Sequence, residues 1–230
     1  MSFGEFIKTP NTVGMWHLNG LSVDSSGNGL NGTDTSIIYG KQYGKFNEGA
    51  LFNGSNSVIS LGSSSLLNLY SFSHTSIIWI NITQYPTTGK YYYLFARGIY
   101  IQNSTQIYCR IRPDGKLGYG IASNRDAQYD YLETNTSILK NKWVCLIITR
   151  DMTNRIIKCY MNGSELPSTL YVTADQVQVY TPVHTFYLGA DDVVASKSLF
   201  QGYMDEIKFE NRIWTPQEVQ KYYTNALGRF

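Results

Sequence analysis

The sequence predicts an all-β domain, a sandwich or a barrel, closed by one short C-terminal helix. Three observations carry this. About a dozen short apolar runs recur at near-regular spacing between Gly, Asn, Asp and Pro turns, the pattern of a sandwich or barrel. From Tyr203 to Arg212 the residues alternate, with Tyr203, Asp205, Ile207, Phe209 and Asn211 on one parity, as in a strand with one buried and one wet face. Thr215-Pro-Gln-Glu218 is a capping box with Pro at the first helical position; Val219, Tyr222, Tyr223 and Ala226 follow at helical spacing, and Gly228 stands where a helix stops.

In chain order, residues 1–13 read as an arm with little periodicity, in which Phe3, Phe6 and Ile7 are available to dock. Residues 14–230 read as a single domain. Gly14–Gly20 is a first strand, and Asp24–Thr33 a turn-rich loop where Gly and Asn supply positive φ. Gly49–Gly54 and Ser57–Gly62 read as a hairpin about Asn53-Gly54. Leu66–Leu69 is a helical turn, and His74–Thr83 a long apolar strand. Strands follow at 91–97, 106–112, 116–122 and 128–132, with Pro113-Asp-Gly115 as a tight turn. Trp143–Arg150 and Arg155–Met161 make a hairpin, and 164–183 is a long connection with one strand at Gln176–Tyr180. His184–Leu188 and a loop at 189–198 lead to the closing strand. Trp16, Trp79 and Trp143 are expected in the sandwich core.

Composition excludes some functions. Only 16% of the 230 residues are charged and the net charge is +2, without the concentrated basic face of a nucleic-acid binder. No stretch approaches the ~20 apolar residues that span a membrane, so no membrane insertion is expected. The N-terminal residues have no apolar core of secretory type. Cys109, Cys145 and Cys159 are an odd number and form no framework. Pairing Arg150 with Arg155 in the hairpin puts Leu146 opposite Cys159, so the Cys145 and Cys159 sulfurs point to opposite sheet faces and cannot bond. The excess is in aromatics, 14% with 19 Tyr. These serve either as core and strand residues or as surface platforms that stack on sugars.

Several fragments resemble, in order and spacing, the laminin-G-like, concanavalin-A-like lectin/glucanase jelly rolls. They are Trp16-His-Leu-Asn-Gly20 with Asp24-Ser-Ser-Gly-Asn-Gly and Asn31-Gly-Thr33; Lys45-Phe-Asn-Glu-Gly-Ala-Leu-Phe-Asn-Gly54 with Ser57-Val-Ile; Trp143 and Thr149 with Tyr160-Met-Asn-Gly163; Phe186-Tyr-Leu-Gly189; and Gly202-Tyr-Met-Asp-Glu-Ile-Lys-Phe209 with its helix. The resemblance covers residues 14–225 and implies a two-sheet antiparallel β-sandwich, a jelly roll of two stacked, curved sheets with the closing strand beside the first. It also implies a structural Ca2+ where the chain ends meet, with a carboxylate from Asp205, the Gly49 carbonyl, and the rest from the first strand or the Asp24 loop. Calcium takes six to eight hard oxygens. The alternative is that Asp205 hydrogen-bonds a turn and Asp24 starts an Asx-turn.

A laminarinase-type glycoside hydrolase needs paired carboxylates on one face. Glu206 and Glu210 share a parity but lie on the closing strand with Lys208 between them, and Asp130 and Glu133 fall on opposite faces. The chain is therefore expected not to be an enzyme, and no nucleophile elbow or phosphate loop is present. His17, His74 and His184 read as ordinary strand residues. Binding remains. Tyr91, Tyr93, Arg97, Tyr108, Arg110, Tyr119, Arg125 and Tyr129, with Tyr131 beside them, cluster in 91–131 and are the candidate glycan site. The expected role is a non-catalytic carbohydrate-binding and adhesion module on a virus particle, a phage capsid decoration or tail protein made in the host cytoplasm. Its partners would be a cell-surface polysaccharide and capsid or tail proteins. The alternative is a lectin-like domain of a secreted bacterial protein, located extracellularly.

Overall fold

The computed structural model describes residues 5–98, 104–123, 127–180, 184–191 and 198–227. In chain order the strands are β1 (Thr12–Trp16), β2 (Thr33–Thr35), β3 (Ile38–Gly40), β4 (Gly49–Asn53), β5 (Val58–Ser60), β6 (His74–Asn81), β7 (Tyr92–Arg97) and β8 (Thr105–Ile111). They continue as β9 (Lys116–Ser123), β10 (Gln128–Ser137), β11 (Val144–Asp151), β12 (Ile156–Met161), β13 (Ser164–Glu165), β14 (Ser168–Val172), β15 (Phe186–Leu188) and β16 (Gln201–Glu210). The helix α1 spans Pro216–Leu227. One sheet runs β13-β12-β11-β6-β16-β4-β3, with β1 also on β16; the other runs β14-β10-β9-β8-β7-β15-β5-β2. The expected two-sheet antiparallel sandwich is present, with the closing strand beside the first.

The core between the sheets is apolar. Trp16, Phe52, Phe95, Phe186, Ile207 and Phe209 meet there, all essentially without solvent exposure. Trp16 also donates its indole N–H to the Leu30 carbonyl at 2.9 Å, satisfying the one polar atom that its burial would orphan. Trp79 departs from the expectation. It faces outward from the first sheet, beneath α1, where its Nε1 donates to Tyr222 Oη at 2.9 Å and its ring stacks on Tyr223. Trp143 is half-buried beside the same layer.

Four further local readings are corrected. Asn53-Gly54 does not turn a hairpin: β4 pairs with β3 and β16, whereas β5 pairs with β2 and β15 in the opposite sheet. Asn53 Oδ1 instead accepts N–H bonds from Ser55, Asn56 and Ser57, an Asx-centred bend that carries the chain between sheets. The β11–β12 register puts Arg150 opposite Ile157 and Ile148 opposite Cys159. The parity survives the shift, so Cys145 and Cys159 lie in separate apolar layers and all three cysteines are free and buried. In the 164–183 connection the strands are at Ser164–Glu165 and Ser168–Val172, and residues 176–180 form no ladder. The closing strand has no wet face. A bulge at Asp205–Ile207, with Glu206 at φ 47°, flips the parity, so Met204, Ile207 and Phe209 all reach the core. A bulge inserts one residue and so inverts everything beyond it. It falls where β16 changes neighbour from β4 to β1.

The capping box forms as expected: Thr215 N–H donates to Glu218 Oε2 at 2.8 Å and Glu218 N–H to Thr215 Oγ1 at 3.2 Å. Gly228 lies outside the described residues. Phe3 lies outside the described residues; the described part of the arm, residues 5–13, folds back on the sheet. Phe6 is buried, stacks on Tyr222 at 5.4 Å and packs in the layer with Trp79 and Trp214.

Candidate functional site

The outer face of the second sheet is set by alternation. On β8, Ile107, Cys109 and Ile111 are fully buried, which sends Tyr108, Arg110 and Arg112 outward. On β10, Asp130 and Leu132 are buried and Tyr129, Tyr131 and Glu133 face out. Between them β9 offers Gly118 and Gly120. A Cβ at Gly118 would lie 2.8 Å from Tyr131 Oη, and one at Gly120 would lie 2.5 Å from Tyr108 Cζ. The two glycines are therefore the floor on which these rings lie. The register aligns Tyr108, Gly120, Tyr131 and Tyr171 in one cross-strand row, and Tyr93, Arg110, Gly118 and Glu133 in the next. Tyr131 and Tyr171 stack with centroids 6.0 Å apart. The result is a groove of about 350 Å³ lined by Tyr108, Arg110, Arg112, Tyr129, Tyr131, Glu133 and Tyr171.

Charge is distributed unevenly along it. The Arg110 guanidinium lies 4.0 Å from the Tyr91 ring centroid and 4.5 Å from that of Tyr108, and Nη1 donates to Tyr93 Oη at 3.1 Å. Arg112 Nη1 donates to Glu133 Oε2 at 2.6 Å, and Lys116 Nζ lies 3.5 Å from Glu133 Oε1. Burial raises the pKa values of Tyr93 and Tyr131, so both phenols stay protonated and can donate.

Of the sequence candidates, Tyr91, Tyr93, Tyr108, Arg110 and Tyr129 gather on this face. Arg97 and Tyr119 do not, because they share parity with core residues. Arg97 is buried and donates to the Ser64 and Ser63 carbonyls at 2.7 and 2.9 Å. Tyr119 is buried and donates to His74 Nε2 at 2.6 Å. Arg125 lies outside the described residues. Arg112, Glu133 and Tyr171 were missed. The first two continue the outward parity of Tyr108–Arg110 and Tyr129–Tyr131, a signal available in the sequence. Tyr171 was hidden because its strand was placed elsewhere.

The other carboxylates weighed for chemistry are engaged. Asp130 is buried between Arg150 (3.4 Å) and Arg155 (2.6 Å). Glu206 and Glu210 lie on the other sheet, beneath the arm and α1. Glu206 Oε1 meets His17 Nδ1 at 2.8 Å and Oε2 accepts the Phe6 N–H at 2.7 Å. Glu210 takes Lys208 Nζ (2.6 Å), Trp214 Nε1 (2.6 Å), Thr9 Oγ1 (2.8 Å) and Arg212 Nε (3.0 Å). Burial alone would raise the Glu210 pKa; these donors outweigh it and hold the carboxylate ionised.

The calcium set divides. Asp24 Oδ1 accepts from the Met15 and Ser26 amides, and Oδ2 from Ser26 Oγ and the Leu30 amide. Its oxygens are filled by N–H and O–H donors and do not fit a cation. Asp205 lies one step beyond the Met204–Ala50 pair and therefore beside Gly49. Its Oδ2 accepts the Lys45 and Phe46 amides at 2.7 and 2.8 Å, while Oδ1 is buried without a partner. Burial raises its pKa. Among the described residues no three His, Cys, Asp or Glu side chains gather to hold a metal.

With this geometry in place, the comparisons fix the family. Residues 53–220 match the family model of the concanavalin A-like lectin/glucanases superfamily, nearly three quarters of the chain, and the protein belongs to that family. None of the curated proteins compared matches it. Among solved structures it resembles domain 4 of AbnA, a GH43 extracellular arabinanase from Geobacillus stearothermophilus, in complex with arabinotriose. The TM-score is 0.67 at 22% identity, over 93% of this chain and 98% of that domain. The binding domain of Paraclostridial Mosquitocidal Protein 1 gives 0.70 at 16% identity, over 93% and 52%. That of botulinum neurotoxin serotype G gives 0.66 at 18%, over 93% and 50%. The chain thus spans about half the length of the toxin binding domains. At these identities the likeness is one of fold.

Proposed function

We propose that this protein is a non-catalytic carbohydrate-binding module whose site is the outer face of the second sheet. The observation that carries the reading is the pair of cross-strand rows, in which tyrosine rings lie over Gly118 and Gly120 beside Arg110, Arg112 and Glu133. Ring faces stack on the C–H faces of a sugar, and fixed guanidinium and carboxylate groups order its hydroxyls. The arabinotriose complex of AbnA domain 4 supports a sugar ligand for this fold. The absence of catalysis is supported by the state of Glu133, held between Arg112 and Lys116, and by the burial of Asp130 among arginines. The test is a glycan array followed by titration calorimetry. Hits weakened by Tyr131→Ala and Tyr171→Ala support the site; hits that survive both place binding elsewhere, and turnover of a bound glucan overturns the non-catalytic reading.

Two finer elements belong to this proposal. Calcium is proposed only at Asp205, where the orphaned Oδ1 and the adjacent Gly49 backbone offer hard oxygen. A place on a virus particle, with capsid or tail proteins as partners, rests on the sequence reading. Immunogold labelling of particles from the source culture tests it, and unlabelled particles would remove it.

A further inference from the structure

Resting on that reading, we infer that the groove selects acidic sugars, holding the carboxylate of a uronate or sialate on Arg110. The arginines Arg112, Arg150, Arg155 and Arg212 each face a carboxylate, and Arg97 is spent on two backbone carbonyls. Arg110 has neither: among the described residues its hydrogen-bond and ring partners are the phenols of Tyr91, Tyr93 and Tyr108, and the Asp191 carboxylate acts on the Tyr93 phenol. A part-buried guanidinium without a counter-charge is unfavourable on its own, and its deficit is repaid by an anion that arrives with the ligand.

The geometry favours a carboxylate. The Tyr91 and Tyr108 rings against the guanidinium fix its plane, so its remaining donors point along its edge. Nε is buried without a partner and Nη1 spends one N–H on Tyr93, so the Nη1–Nη2 edge is left for a ligand, Nη2 making no hydrogen bond among the described residues. A planar, pre-oriented fork of this kind pairs with a planar carboxylate in a way that a lysine cannot. Glu133 does not neutralise it, because its two oxygens are taken by Arg112 and Lys116. The groove therefore reads a sugar ring by its tyrosines and a sugar charge by Arg110.

The test is calorimetry on the intact protein with two matched pairs: trigalacturonate against its methyl ester, and 3′-sialyllactose against lactose. The expected result is at least tenfold tighter binding of the acid in one pair, a preference that shrinks as salt rises, as an ion pair open to solvent on one side requires. Which pair responds distinguishes uronate from sialate. Arg110→Gln should weaken the acid far more than the neutral sugar, so that the preference disappears, and Arg110→Lys, the variant closer to the native packing, should reduce the preference. Equal binding of acid and neutral forms, or a preference unchanged in both variants, overturns the acidic-sugar inference and leaves the glycan reading standing. Binding of none of the four sugars, with an otherwise blank array, overturns both.

Discussion

The outer faces of the two sheets begin from similar residues and end in opposite states. The first carries Glu206, Lys208 and Glu210 and is roofed by the arm and α1, so each charge has a partner inside the same chain. The second carries Arg110, Arg112 and Glu133 among tyrosines and, among the described residues, has no roof and pairs Arg110 with no carboxylate. Charge that is sealed and matched serves the fold; charge that is held rigid, open and unmatched serves a ligand. Substitutions on the first face should therefore cost stability, and those on the second should cost binding.

The largest effect tests the layer that both faces enclose. Buried His74 accepts the Tyr119 hydroxyl, and burial pushes its pKa down from 6.5 to about 3. Between those values the unfolded chain binds a proton that the folded chain refuses. Stability is thus complete above pH 6.5 and falls as pH drops toward 3, by about 5 kcal/mol at 1.36 kcal/mol per pKa unit. Urea melts across pH 3–7 should show this slope, and His74→Gln should flatten it; an unchanged slope rejects the assignment.

On the roofed face, Glu210→Ala strands Lys208, and chemical denaturation should register a loss of about 3–5 kcal/mol. Phe6→Ala unstacks the arm from Tyr222, for which about 1.5–3 kcal/mol is expected. A loss near zero would mean that the arm contributes little to the fold. On the open face the ranking should invert: Tyr131→Ala should move stability by under ~1 kcal/mol yet weaken glycan binding roughly tenfold. A large stability loss without a binding effect would break the comparison. The smallest expected effect is at Asp205. Calcium should raise the wild-type Tm by roughly 2–4 °C, equivalent to ~1 kcal/mol in a chain of this size, and leave Asp205→Asn unmoved. A chelator-insensitive wild type removes calcium from the account.

The sandwich, the closing helix and most strands were legible because period-2 runs, turn residues and a capping box are local signals. The candidate site was legible in part for the same reason. Tyr91, Tyr93, Tyr108, Arg110 and Tyr129 share the outward face, but Arg97 and Tyr119 share parity with Phe95 and Ile121, which fill the core. The residues that failed are governed by long-range pairing. Asn53-Gly54 has hairpin chemistry, yet β4 and β5 find better partners in different sheets. The single residue added at Glu206 inverts a parity that looked unbroken, and nothing local announces it.

The pairing of β1 with β16 also sets how the molecule bears load. Thr12 faces Glu210, and the Asn211 N–H bonds the Asn11 carbonyl, so both strands leave the sheet at the same corner. Force that pulls residue 11 from residue 211 does not shear the ladder, where all the bonds would resist together. It opens the hydrogen bonds one after another, like a zipper. Under tension between these points the domain should yield first at this corner, releasing β1 before the groove on the opposite sheet is disturbed. The domain can therefore lengthen under strain while the outer face of its second sheet stays folded.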